Sequence, residues 1–324
     1  MPKYGTLERD NLFLTANAIA DQTAFERRNE MKFGIIGAGI VGTALAVQLT
    51  EAGHECLGVH TRSRLSYERF RSYLNIDHLL LEELVPAVDF LFITTQDGMI
   101  QSIAENLVEK DLIIPDQIWI HCSGSLPSSI LRIQEDLPVR CLSLHPLQSF
   151  ASVDNALTIL SGTHFGVEGE EEVLGEEIVK DLGGIPHKIL ADEKTLYHAG
   201  AVVASNYLAV LASLAVELFA AAGIQGEEAL ASLLPLMKGT LSNLEQVGLP
   251  QALTGPIARG EVQVIKGHLD QLPSKLTEIY KGLGLKALEL GENKRAKQGL
   301  SYPSEELNIL KLLLGGQNSD GEFR

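Results

Sequence analysis

The feature that most constrains this chain is a glycine-spaced turn set between an apolar run and a helix. It reads Lys32-Phe-Gly-Ile-Ile-Gly37-Ala38-Gly39-Ile40-Val41-Gly42. Residues 32–36 have the pattern of a buried strand, 39–52 of a helix, and 54–60 of a second strand. In such a unit the first glycine makes a tight turn and the second lets the backbone approach a phosphate. The third lets the helix lie close on the strand. The free N–H groups and positive dipole end at the helix start then face an anion. A dinucleotide has that chemistry, so Gly37, Ala38, Gly39, Ile40, Val41 and Gly42 are the first candidate binding residues.

The alternation continues. Residues 89–94, 118–122 and 139–144 read as strands, with helices over 99–108 and 126–134. Two further strands, 163–167 and 186–190, flank a helix over 170–182. Short apolar runs between helices predict an α/β fold, a doubly wound parallel sheet of the Rossmann type. From Asp192 the strand signals give way to Ala/Leu-rich helices, with breaks at Gly223, Pro250, Gly255-Pro256, Pro273 and Pro303. The 324 residues suit two domains. We place a dinucleotide-binding domain over 31–190, an all-α domain over 191–315 and a polar tail over 316–324. Residues 1–30 precede the first strand. Two readings stay open for them: a helical arm, or sequence upstream of a start at Met31.

The second strand ends His60-Thr61-Arg62-Ser63-Arg64. An NAD site usually places a carboxylate there for the ribose 2′-hydroxyl. Here hydroxyls and guanidinium groups stand instead, which suits a 2′-phosphate. The expected cofactor is therefore NADP(H), with Thr61, Arg62, Ser63 and Arg64 around the phosphate. Thr94, Thr95 and Ser123, at later strand ends, are candidate contacts along the cofactor. Asp97 reads as the N-cap of the helix that follows it.

Reduction of a carbonyl needs a proton donor and groups that orient the substrate. On a helix starting near Asp192, Lys194, His198 and Asn206 form a polar stripe on an otherwise apolar surface. His198 is the better acid, since imidazole titrates near neutrality. Arg259 and Glu261, in Thr254-Gly-Pro-Ile-Ala-Arg259-Gly-Glu261, offer a partner for a carboxylate. His145 and His268 are weaker candidates, read mainly as structural. The histidines and acids lack zinc-type spacing, so no metal is expected.

Bulk properties exclude several classes. A net charge of −16 argues against nucleic acid or an anionic membrane surface as partner. The three cysteines form no CxxC pair, and the first residues lack an apolar leader core, so a cytoplasmic location is expected. The apolar stretch 199–222 is interrupted by Ser205, Asn206, Ser213 and Glu217, which argues against a membrane span. A helix apolar nearly all round suggests a seam between two copies, hence a homodimer.

The fingerprint, His145-Pro-Leu-Gln-Ser-Phe150, Tyr197-His198 with Ser205-Asn206-Tyr207, and Thr254-Gly-Pro-Ile-Ala-Arg259-Gly-Glu261 together resemble the Rossmann-like plus DUF2520 family. The resemblance runs from about Met31 to the last helices. It implies a reductase related to 6-phosphogluconate dehydrogenase, often dimeric, with a small-molecule site between its domains. Ketopantoate reduction is the nearest concrete reaction. There His198 would donate the proton, Asn206 would orient the carbonyl, and Arg259 would pair with the carboxylate. The sequence departs from ketopantoate reductases in one respect: His198 stands where they carry a Lys. An imine reductase of the pyrroline-5-carboxylate type and a non-catalytic NADP sensor are the alternatives.

Overall fold

The structure is a computed structural model that describes residues 30–316. Residues 1–29, on which the reading as arm or upstream sequence rests, and the tail beyond 316 lie outside the described residues. The chain divides into two compact units, the first ending at Ser205 and the second beginning at Asn206.

In chain order the first unit contains β1 (Lys32–Ile36), α1 (Ile40–Glu51), β2 (Glu55–His60), α2 (Arg64–Tyr73) and α3 (Leu81–Leu84). β3 (Phe90–Ile93), α4 (Asp97–Glu109), β4 (Ile118–His121), β5 (Arg140–Pro146) and α5 (Val153–Ile159) follow. β6 (His164–Gly169), α6 (Glu172–Asp181), β7 (Ile185–Lys188) and α7 (Lys194–Ala204) complete it. The seven strands form one sheet in the order β2-β1-β3-β4-β5-β6-β7. The central strands are apolar on both faces because helices cover both. Phe33, Ile35, Leu91, Phe92, Trp119 and Ile120 are all fully buried. From β1 the chain steps first to β2 and later, on the other side, to β3. The gap between β1 and β3 is therefore a switch point, where such sheets bind ligands beyond their carboxyl ends.

Three features of the sheet and its connections differ from the sequence pattern or add to it. β6 runs antiparallel to β5. The connection between them holds only the seven-residue α5, which spans about 10 Å and is too short to carry the chain back along β5. The predicted helix over 126–134 shrinks to one 3₁₀ turn, Ser128–Leu131. Pro127 enters it in an extended conformation, and the Ser128 N–H and Oγ both donate to Glu168 rather than to the turn. The polar stretch after β2 is helical over Arg64–Tyr73, with Ser63 accepting from the Ser66 N–H as its cap.

The second unit contains α8 (Asn206–Ala221), α9 (Gly226–Val247), α10 (Pro256–Arg259), α11 (Val262–Gln271), α12 (Ser274–Lys297) and α13 (Ser304–Leu314). The helices break where Gly and Pro predict. Ile265, Leu288, Tyr302, Leu310 and Leu314 form its core. Tyr302 donates from Oη to the Ile257 carbonyl and lies beneath the Arg295 guanidinium, 4.1 Å from its ring centre. The continuous helix expected through 206 is interrupted. Ser205 lies off the helical line at φ −110° and ψ −67°, so His198 and Asn206 stand on different helices in different units. α7 belongs to the first unit, where Lys194 anchors it to the sheet.

Candidate functional site

At the β1 end the fingerprint does what its spacing demands. Gly37 takes φ +107°, a conformation that side chains oppose. A Cβ on Gly42 would overlap Thr94 Oγ1 and the Gly37 carbonyl, so only glycine lets α1 lie this close. Gly39, by contrast, faces nearly open space, with the Thr94 carbonyl 3.9 Å from the nearest possible Cβ. The turn is held from two sides. Thr94 Oγ1 donates to the Gly37 carbonyl at 2.7 Å, and Arg69 Nη2 donates to the Ala38 carbonyl at 2.7 Å. Arg69, five residues after Arg64, carries no sequence signal for that role. Its partner is set by how α2 folds back.

A cleft of about 640 Å³ opens here. Gly37, Ala38, Gly39, Thr61, Arg62, Ser63, Thr94 and Thr95 all line it. Ile40, Val41 and Gly42 do not line it with side chains. They begin α1, where backbone N–H groups have no partner within the helix. At the β2 end, Arg62 is exposed and forms no ion pair among the described residues. Arg64 is instead paired with Glu68 at 2.8 Å. Thr95 Oγ1 is buried without a hydrogen-bond partner. An orphaned hydroxyl, a glycine that leaves the backbone open and an unpaired guanidinium one strand away fit a phosphorylated dinucleotide laid across the switch point.

Farther along the sheet, beyond β4 and β5, the polar side chains form a second group. Asp97 is not a cap. Gln96 takes the N-cap position, and Asp97 Oδ2 accepts from Ser123 Oγ at 2.8 Å and from Ser125 Oγ at 3.0 Å. Ser123 is buried and committed to this turn, outside the residues lining the cleft. Fully buried His121 donates from Nε2 to the Pro127 carbonyl and accepts on Nδ1 from the Ser123 N–H. Burial pushes its pKa down to about 4, so the ring is neutral.

Lys194 is almost fully buried. Its Nζ donates to Ser143 Oγ at 2.6 Å and to the Ser123 carbonyl at 3.2 Å, and lies 3.9 Å from Glu168 Oε2. Burial lowers its pKa, and the Glu168 charge opposes that. It is thus tucked beneath the Ser123 turn and does not share an open stripe with His198. His198, half-buried, turns toward Gly124 beside His145, the two ring centres 6.0 Å apart. His145 Nδ1 is 3.0 Å from Tyr197 Oη. Burial, then the charges of Lys194 and His198, push the His145 pKa down to about 4. The sequence offers His145 only as a weaker candidate and gives Tyr197 no role, because their meeting depends on β5 and α7 coming together.

In the second unit, Asn206 is exposed at the start of α8. Arg259 pairs with Glu261 through two hydrogen bonds, at 2.7 and 3.0 Å. His268 is hydrogen-bonded to Tyr280 at 2.7 Å.

Two family models match the sequence. A Rossmann-like domain covers 18–146, and the domain of unknown function DUF2520 covers 163–287. The chain thus carries a Rossmann-like domain followed by a DUF2520 domain. No curated protein matches it. Among solved structures it is similar to a Thermotoga maritima protein, with 25% identity, a TM-score of 0.61, and coverage of 82% of this chain and 97% of that one. A Bacteroides fragilis protein assigned as an NADP oxidoreductase shares 21% identity at a TM-score of 0.63, covering 81% and 99%. The 1-pyrroline-5-carboxylate reductase of Streptococcus pyogenes shares 18% at 0.54, covering 88% and 99%. The last two likenesses are to the fold.

Proposed function

We propose that this chain is a cytoplasmic NADPH-dependent oxidoreductase that reduces the carbonyl of a small 2-oxo acid, with ketopantoate as the first substrate. One observation carries the reading: the glycine turn opens at the switch point beside the orphaned Thr95 hydroxyl, with unpaired Arg62 at the neighbouring strand end. The bound nicotinamide supplies a hydride. Arg62, Thr61 and Ser63 would hold the 2′-phosphate, and the N–H groups opening α1 would hold the pyrophosphate. The carboxyl ends of β4 and β5 lie on the other side of the switch point from β2. Those carboxyl ends lie about 10–15 Å from that of β1. His198 stands there as proton donor. Lys194 positions the Ser123 turn from below. Arg259, steadied by Glu261, is the proposed partner of the substrate carboxylate, and Asn206 orients the carbonyl.

Similarity to a 1-pyrroline-5-carboxylate reductase makes a cyclic imine the second substrate class. An imine also accepts hydride at carbon, with its proton on nitrogen. The test is NADPH and NADH binding by fluorescence, then NADPH oxidation with ketopantoate, other 2-oxo acids and cyclic imines. Arg62→Ala should weaken NADPH binding about 10- to 100-fold and leave NADH nearly unaffected, as expected for losing a charge-assisted contact. His198→Ala should abolish most turnover. Equal affinity for both nucleotides in the native protein would overturn the NADP reading. Tight NADPH binding without turnover on any substrate would favour a sensor.

A further inference from the structure

We propose that His145 is a second catalytic residue: its Nε2–H, aimed by Tyr197, hydrogen-bonds the oxygen of the substrate carbonyl while His198 supplies the proton. This rests on the reductase reading above and adds a group to it.

The geometry begins at Gly124. A Cβ there would lie 2.7 Å from His145 Nε2 and 2.7 Å from His198 Cδ2. The two rings therefore close over the one residue of the Ser123–Ser125 turn that has no side chain. Any other residue would push both rings away. His145 Nε2 has no hydrogen-bond partner among the described residues, yet it is not among the enclosed, unpartnered atoms. It is thus accessible and unspent. The turn beneath it is fixed by Asp97, by His121 and by Lys194.

Which nitrogen of His145 carries the proton follows from Tyr197. Burial raises the Tyr197 pKa, with the Gly166 N–H drawing the other way, so the phenol stays protonated. The only acceptor for its O–H among the described residues is His145 Nδ1, 3.0 Å away. Nδ1 then accepts, and Nε2 carries the hydrogen and faces the opening. The groups facing His145 are Tyr197, His198 and Lys194 of α7, Asp97 of α4 and His121 of β4. Among the charged ones, Lys194 and a protonated His198 both disfavour charge on His145, and Asp97 only partly offsets them.

The chemistry divides accordingly. When the carbonyl carbon gains a hydride, its π pair moves to oxygen. A neutral imidazole N–H stabilises that growing charge without giving up its proton. The oxygen takes its proton from the His198 imidazolium, which becomes neutral imidazole. Two nitrogens then serve one oxygen, as donor of a hydrogen bond and donor of a proton.

The experiment pairs spectroscopy with kinetics. In protein carrying ¹⁵N-histidine, long-range ¹H–¹⁵N spectra should show His145 as the Nε2–H tautomer across neutral pH. Tyr197→Phe should let the tautomers mix. Addition of NADP⁺ with ketopantoate should shift the Nε2 signal. In turnover, His145→Leu should lower kcat about 100-fold or more, the usual loss for one oxyanion donor. NADPH affinity should stay at the native level, and His145→Gln, which keeps an N–H donor, should recover part of the rate. A native Nδ1–H tautomer, or native kcat in His145→Leu, would overturn the proposal while leaving the reductase reading intact. If no substrate in the panel turns over, an unmoved Nε2 signal on adding the ligands overturns it. Failure to bind NADPH would overturn the reductase reading itself.

Discussion

Lys194 shows how one buried charge organises the site. Its Nζ is held by Ser143 Oγ and the Ser123 carbonyl, with Glu168 as counter-charge. Glu168 is itself satisfied by the N–H and Oγ of Ser128. Removing one partner of a buried pair strands the other charge, which costs about 3–5 kcal/mol. Lys194→Met should therefore destabilise the protein by that order in urea unfolding, and the Lys194→Met/Glu168→Gln double variant should lose clearly less. Equal losses would show that the two side chains are not energetically coupled. The sequence marks Lys194 as a polar residue on an apolar helix. It does not reveal the cage, because the partners lie 71 and 51 residues away along the chain. Asp97 has the same history: a helix-start pattern suggested a cap, while its actual partners come from the turn after β4.

At the scale of elements, α8 is the anomaly. Asn206–Ala221 is apolar nearly all round, yet no residue of it is buried. Tyr207, Val210 and Leu211 are 54, 47 and 39% exposed. The stretch Ala191–Ala221 is long and apolar enough to cross a membrane by length and composition. Lys194, His198, Asn206 and Glu217 would be costly there, and we propose that a second copy of the chain covers this face. Light scattering at micromolar concentration should give a dimer, and Val210→Glu with Leu211→Glu should give a monomer. A native monomer would remove the assignment. The glycine turn, by contrast, is an element whose sequence and structure agree. Its requirements are local: a positive φ at Gly37 and no Cβ at Gly42.

For the molecule as a whole, pH sets a limit on stability. His121 and His145 are both held near a pKa of about 4 by burial, below the ordinary imidazole value of about 6.5. Between these values the unfolded chain binds more protons, so stability rises with pH. The contribution is complete above about pH 6.5 and is lost as pH falls toward 4, on the order of 3 kcal/mol for each histidine. The thermal midpoint should fall steeply over that window, and His145→Gln should make the fall shallower. A flat midpoint would mean that neither ring is held neutral by the fold. The sequence alone determined the α/β alternation, the helical second half and the dinucleotide turn. Each is written in residues that are neighbours in the chain and governed by backbone conformation, period and close packing. The tertiary structure decided which polar groups meet beyond β4 and β5. Asp97 with Ser123, Lys194 with Glu168, and His145 with Tyr197 and His198 come together only because the sheet places β3, β4, β5 and β6 side by side and brings α7 against their ends. No spacing along the chain encodes those contacts, since they depend on strand order and on the reversed direction of β6.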